Sequence, residues 1–227
     1  MERRTFLRAS ALSLGVAGAA GATASAASPV RVQVLMFDGV EEQDFVAPVE
    51  VLGLAAAFSG GAVRTTQVTT GRPGPVTCLH GTKVVVEHGW SPAEADVLVV
   101  PGGGRYTDPD SPGVRRLMAD TAFLGRLAGA DVLPVGICTG TMVLAAAGIT
   151  RGRNATTHTR AKPDLAARGA SVVDARVVDD GDLITGGGIT SGLDVALWLV
   201  ERFVGVQTAH QVETMLEYER RGTVWRR

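Results

Sequence analysis

The sequence predicts a doubly wound α/β fold with a largely parallel central sheet. Short apolar runs alternate along the chain with segments of helical spacing. The junctions between them are short glycine turns, as at Asp38-Gly39, Gly102-Gly103-Gly104 and Gly186-Gly187-Gly188. The stretch Gly136-Ile137-Cys138-Thr139-Gly140 has the form of a nucleophile elbow, which requires a strand before it and a helix after it.

Val30 to Phe37 is β-branched and apolar, bounded by Ser28-Pro29 and Asp38-Gly39, and reads as a buried strand. From Asp44 to Ala57 the apolar residues fall at helical spacing, with Pro48 expected near the first turn, where proline is tolerated. Ala62 to Thr70 is a second strand, and Pro75 to His88 a hairpin turned at His80-Gly81-Thr82. Asp96 to Pro101 is a strand running into the glycine triplet. Ser111-Pro112 reads as an N-cap followed by proline at the first helical position, with the helix continuing to about Leu127. Asp131 to Ile137 leads into the elbow and Thr141 to Ala147 leads out of it. Gly152 to His158 is a short extended segment, followed by a helix through Leu165 that Gly169 ends. Ser171 to Thr185 reads as two strands joined at Asp179-Asp180-Gly181. Thr190-Ser191 caps a helix from Gly192 to Phe203, and Val206 to about Arg221 is a final amphipathic helix. One domain over residues 29–227 accounts for this pattern.

The 227 residues carry a formal charge of −1, without a basic stripe, so nucleic-acid binding has no electrostatic support. The first residues stand apart. Arg3-Arg4-Thr5-Phe6-Leu7 begins a twin-arginine pattern, an Ala/Gly/Leu stretch follows, and Ala24-Ser25-Ala26 offers a cleavage site. Residues 1–26 are therefore expected to be a Tat-type export signal. The Tat translocon would be a transient partner, and the mature protein would act in the periplasm or outside the cell. In such a compartment Cys78 and Cys138 could in principle pair. Their placement in different elements, one of them in the elbow, argues against a bridge.

In a doubly wound sheet, ligands bind beyond the carboxyl ends of the strands. Four loops meet there: 38–44, 101–104, the elbow and 186–190. Cys138 is the candidate nucleophile, projecting at a helix N-terminus whose dipole and free N–H groups favour a thiolate. Asp44 starts the first helix on the same rim; a carboxyl facing a thiolate is pushed toward protonation and becomes a general acid. The N–H groups of Gly102 and Gly103, with that of Thr139, are candidates for an oxyanion hole. His158, close behind the elbow helix, is the histidine best placed to neighbour Cys138. Phosphate-binding glycine fingerprints are missing, and none of the four histidines has metal-ligand spacing, so no metal is expected.

Taken together, Asp38-Gly-Val-Glu-Glu-Gln-Asp44-Phe-Val-Ala-Pro48, Val-Val-Pro-Gly-Gly103, Gly-Ile-Cys138-Thr-Gly, Ala-Thr-Thr-His158 and Gly186-Gly-Gly-Ile-Thr190 resemble the ThiJ/PfpI superfamily. The resemblance implies a flavodoxin-like sheet with helices on both faces, akin to class I glutamine amidotransferases. Within the superfamily the chain is most similar to isonitrile hydratases and the related amidase-like domains of AraC-type regulators, through Thr139 after the nucleophile, Asp rather than Glu at 44, and the block ending in Asp194. PfpI-type proteases place a histidine directly after the cysteine, where this chain has Thr139.

The hydratase resemblance implies a cofactor-independent hydro-lyase. It would add water to a small isocyanide through a Cys138 thioimidate, with Asp44 as proton donor and water activator and Thr139 orienting the reactants. Gly102, Gly103, His158, Gly187 and Ile189 are the expected oxyanion- and substrate-binding positions, and a homodimer is implied. Two other activities stay open: a deglycase- or glyoxalase-like hydrolase, and a non-catalytic thiol-based redox sensor on the same fold.

Overall fold

The computed structural model describes residues 28–227, so the expected export signal lies outside the described residues. In chain order the elements are β1 (Val30–Met36), α1 (Glu42–Phe58), β2 (Val63–Thr69), β3 (Gly74–Thr77), β4 (Lys83–Val86), β5 (His88–Gly89), β6 (Val97–Val100), α2 (Val114–Ala119), α3 (Thr121–Gly129) and β7 (Leu133–Ile137). The second half contains α4 (Gly140–Ala146), β8 (Asn154–Ala155), α5 (Lys162–Ala167), β9 (Ser171–Val172), β10 (Val177–Asp179), β11 (Ile184–Gly186), α6 (Ser191–Phe203), α7 (Val206–Leu216) and β12 (Trp225–Arg226).

Eight strands form the central sheet in the order β12-β10-β11-β7-β6-β1-β2-β5. The strands from β11 to β5 run parallel, while β10 is antiparallel to β11 and carries β12 alongside it. The apolar runs are buried because helices cover both faces: every residue of β6 is buried, as are the last five of β1. Helices α1, α6 and α7 pack on one another, as do α2, α3 and α4. This is the flavodoxin-like, doubly wound architecture that the sequence predicts. From β1 the chain goes first to β2 on one side and later to β6 on the other. The crevice between the carboxyl ends of β1 and β6 is therefore the switch point where such sheets bind ligands.

Several element boundaries differ from the sequence reading. Helix α1 starts at Glu42, because the Glu41 N–H is already held by the Gly102 carbonyl and the Glu41 backbone is extended. Pro48 is consequently the seventh residue of the helix and lies in its interior. Ser111 does not cap a helix. Its hydroxyl accepts the Arg105 N–H and donates to the Pro112 carbonyl, closing the 105–111 loop, while Gly113 at φ 95° stands before α2. The segment expected as one helix to Leu127 breaks at Asp120, whose carboxyl accepts the Phe123 N–H and so caps α3. Thr190 precedes α6 without a side-chain cap, its hydroxyl accepting from Arg176 instead. Helix α7 stops at left-handed Glu217, well before Arg221, and the chain beyond it turns toward Asp194.

Candidate active site

Cys138 occupies the turn between β7 and α4 with φ 54°, a left-handed conformation that a side chain adopts at a cost of roughly 1–3 kcal/mol. The turn is fixed from both sides. The Cys138 N–H donates to the Gly187 carbonyl at 2.8 Å, and its own carbonyl accepts the Thr157 hydroxyl at 2.7 Å. The flanking glycines serve close approach, since the positive φ belongs to the cysteine itself. A Cβ on Gly140 would collide with the Val100 carbonyl oxygen, and one on Gly136 would press on Thr141. Glycine at both places lets α4 start hard against β6 and β7.

Asp44, in the first turn of α1, is fully buried and reaches the Cys138 thiol. Its Oδ2 accepts the Gly102 N–H at 2.8 Å, whereas Oδ1 has no hydrogen-bond partner of normal geometry. Burial pushes the carboxyl up to about 7; the Gly102 N–H opposes the rise, the Glu41 charge adds to it, and the thiol contact lowers it slightly. Cys138 is buried as well, 5% exposed. Burial first, and the Asp44 charge second, push the thiol up to about 12, against the N–H groups of Ile189 and Thr139 and the Thr139 hydroxyl. Burial and the neighbouring carboxyl therefore act against the thiolate that a helix N-terminus favours.

The predicted oxyanion donors on the β6 loop are otherwise engaged. The Gly102 N–H holds Asp44, and the Gly103 N–H donates to Thr139 Oγ1 at 3.2 Å. They position the acid and the hydroxyl rather than opening toward a substrate. The glycines are needed for closeness, because a Cβ on Gly102 would lie 2.6 Å from Thr139 Oγ1 and 2.8 Å from Asp44 Oδ2. The N–H groups that do reach the sulfur come from Thr139 and Ile189.

Gly187 contributes its carbonyl, which takes both the Cys138 N–H and the Ser191 hydroxyl. Ile189 is the second strained residue of the site, at φ 31°. His158 packs against Gly188, where a Cβ would come within 2.8 Å of its ring, and its Nδ1 accepts the Arg160 N–H at 3.2 Å. Both cysteines are free. Among the described residues, one group with metal-ligand proximity occurs, Glu41, Glu42 and His80. The Glu42 carboxylate there is taken up by the N–H groups of His80 and Thr82, tying α1 to the β3–β4 hairpin. Sequence reasoning missed Thr157, which buttresses the elbow, and Glu41, whose charge acts on Asp44. The signals available were the location of Glu41 in the 38–44 loop and that of Thr157 in the Ala-Thr-Thr-His158 motif.

A flavodoxin-like sheet with a cysteine at its strand–helix elbow and an acid from the first helix defines a class of thiol-bearing α/β proteins. The chain belongs to the DJ-1/PfpI family, whose model matches residues 30–202. It is 36% identical to an isonitrile hydratase from Pseudomonas putida over 83% of this chain and 78% of that protein. It is 31% identical to the Parkinson disease protein 7 homolog of Danio rerio, over 82% of this chain and 96% of that one. Among solved structures, a ThiJ/PfpI family protein from Pseudomonas syringae superposes with a TM-score of 0.73 at 28% identity, covering 86% of this chain and 77% of the other. The family includes enzymes such as isonitrile hydratase.

Proposed function

We propose that the protein hydrates small isocyanides to N-formamides, with Cys138 as nucleophile and Asp44 as the group that moves every proton. The observation that carries this reading is the sealed Asp44–Cys138 pair. Both groups are buried, and no cation contributes to either shift. The nearby Gly102 and Gly103 N–H groups are already engaged. Attack on a carbonyl builds charge on an oxygen and requires free donors around it. Attack on an isocyanide builds charge on the carbon that is attacked, and that carbon needs an acid beside the sulfur. A carboxyl near pKa 7 with an uncommitted Oδ1 supplies one.

The steps balance as follows. The Cys138 sulfur bonds to the terminal carbon of R–N≡C, and the thiol proton reaches that carbon by way of Asp44, giving the thioimidate R–N=CH–S–Cys. The Asp44 carboxylate then takes a proton from water. The resulting hydroxide adds to the same carbon while the nitrogen is protonated. Finally the C–S bond breaks, the hydroxyl proton passes to the sulfur, and R–NH–CHO leaves. Thr139, with its hydroxyl against the sulfur and held by the Gly103 N–H, orients the incoming group. The 36% identity to an isonitrile hydratase supports the same chemistry.

Incubation with an alkyl isocyanide, and in parallel with methylglyoxal, tests the reading. Formamide from wild type and none from Cys138→Ala is the expected result. Formamide that persists in Cys138→Ala overturns the mechanism, and turnover of methylglyoxal alone would assign a deglycase-type activity instead. We further propose that residues 1–26 are a twin-arginine export leader and that the mature protein is a homodimer. Sequencing the N-terminus of the secreted form and sedimentation equilibrium check these two points.

A further inference from the structure

The 187–190 loop holds the Cys138 N–H on its Gly187 carbonyl at 2.8 Å, and its Ile189 has a strained backbone with a side chain that is 39% exposed. Packing of Ile189 itself therefore does little to hold the loop in place. Besides its contacts to the elbow and to the start of α6, the loop is held at two points by one residue, Arg176, on the approach to β10. Its carbonyl accepts the Gly187 N–H at 2.9 Å, and its Nη2 donates to Thr190 Oγ1 at 3.0 Å. These two contacts fall on either side of Ile189.

The guanidinium is in turn fixed from behind. Nε donates to Asp194 Oδ2 at 2.5 Å, and Asp194 is 3% exposed. The same carboxylate accepts the Tyr218 hydroxyl at 2.9 Å and the Arg221 N–H at 2.8 Å. Thus a buried, fully engaged carboxylate pins the planar fork of an arginine, and the fork grips the loop.

We propose that Arg176 is a positioning residue for the reactive cysteine: anchored by Asp194 and Tyr218, it clamps the 187–190 loop, whose Gly187 carbonyl takes the Cys138 N–H at 2.8 Å and so fixes the elbow. Arg176 acts through the loop, and its contacts run to Asp194, Thr190 and Gly187. The proposal rests on the reactive-cysteine part of the functional reading and not on the identity of the substrate. Helix α6 supplies its own control. At its far end Arg202 donates to Asp179 Oδ2 at 2.9 Å and to the Gly181 carbonyl at 2.8 Å, with burial close to that of the Arg176–Asp194 pair. That pair is remote from the thiol.

The test compares the full chain with Arg176→Ala, Arg176→Lys, Thr190→Val and Arg202→Ala, each in a Cys78→Ser background. Hydrogen exchange of the 186–190 peptide, Cys138 alkylation by iodoacetamide at pH 8, thermal midpoint, and kcat and KM on an alkyl isocyanide are measured. In Arg176→Ala the loop amides should lose protection. Alkylation should slow about tenfold, and kcat should fall about 10- to 100-fold with KM changed less than threefold, the scale expected when a reacting group is misplaced. Thr190→Val should move the same readouts in the same direction by a smaller factor, which keeps the test open if Arg176→Ala does not fold. Arg176→Lys should recover the thermal midpoint more fully than the alkylation rate. Arg202→Ala should lower the midpoint and leave alkylation unchanged. A loop that merely covers the thiol predicts faster alkylation in Arg176→Ala, and that result overturns the proposal. So does an unchanged rate with a lowered midpoint, or an equal loss of reactivity in Arg202→Ala. If wild type does not turn over isocyanide, the functional reading fails, while exchange and alkylation still decide the role of Arg176.

Discussion

Asp44 and Asp180 are both buried aspartates, and they lie at opposite ends of the same sheet. Asp180 sits at the turn after β10, where the Arg153 Nε donates to it at 2.6 Å and the Asn154 side-chain amide at 2.8 Å. Burial alone would raise its pKa. The hydrogen bonds from Asn154 and Arg153, with the charges of Arg153 and Arg227, hold it below the usual carboxylate range. Asp96, before β6 at that same end, is held low mainly by its hydrogen bond from Arg31. Asp44 has no cation and one hydrogen bond, and it rises to about 7. One end of the sheet neutralises its buried charges with arginine and is built for stability. The other leaves a carboxyl unneutralised beside a strained thiol, which is how a fold keeps a proton mobile near neutral pH.

The largest effect expected from this contrast is on turnover. Asp44→Asn keeps the shape but cannot exchange protons, so formamide production measured by initial rates should fall about 1,000-fold. Replacing Asp180 in the same way should leave the rate per folded molecule unchanged. Equal losses in both would remove the distinction between the two ends.

The next effect is on stability against pH. Because the folded Asp44 pKa lies above the unfolded value, the native state binds more protons between about pH 4 and pH 7. Unfolding free energy must then fall as pH rises through that window, by roughly 4 kcal/mol from this one group. Asp44→Asn should flatten that part of the curve in denaturant titrations. Asp180 works in the opposite direction: its contribution is present above the unfolded pKa and is lost on acidification.

Arg153→Met removes the hydrogen-bonded cation of the buried Asp180 and should destabilise the protein by about 3 kcal/mol, read from the denaturation midpoint, with alkylation of Cys138 unaltered. The smallest effect concerns strain. At φ 54° glycine is unstrained and alanine is not, so Cys138→Gly should be about 1 kcal/mol more stable than Cys138→Ala. Equal midpoints for these two variants would show that the elbow stores no strain.

Cys138, Asp44 and Thr139 were legible because each lies in a local pattern: a pentapeptide between strand and helix, or the first turn of a helix after a strand. The four rim loops could likewise be assigned from chain order once a parallel sheet was inferred. Arg176 was not legible, because its partners come from the 187–190 loop, α6 and the segment after α7, and no local spacing links them. The commitment of the Gly102 and Gly103 N–H groups was hidden for the same reason. A glycine run shows that backbone can come close to something, without showing to what. Pro48 and Ser111 were misplaced because a helix start is decided by which carbonyl or hydroxyl first engages the backbone, and here those partners are Gly102 and Arg105.

What the sequence determined by itself is the sheet, the elbow and the pairing of an acid with a thiol on one rim. Those depend on hydrophobic period, glycine placement and chain order, all of them local or topological. The tertiary structure alone decided the protonation of that pair and the set of donors facing the sulfur. Protonation depends on desolvation and on charges contributed by distant segments, and the direction of a backbone N–H depends on what clamps its loop.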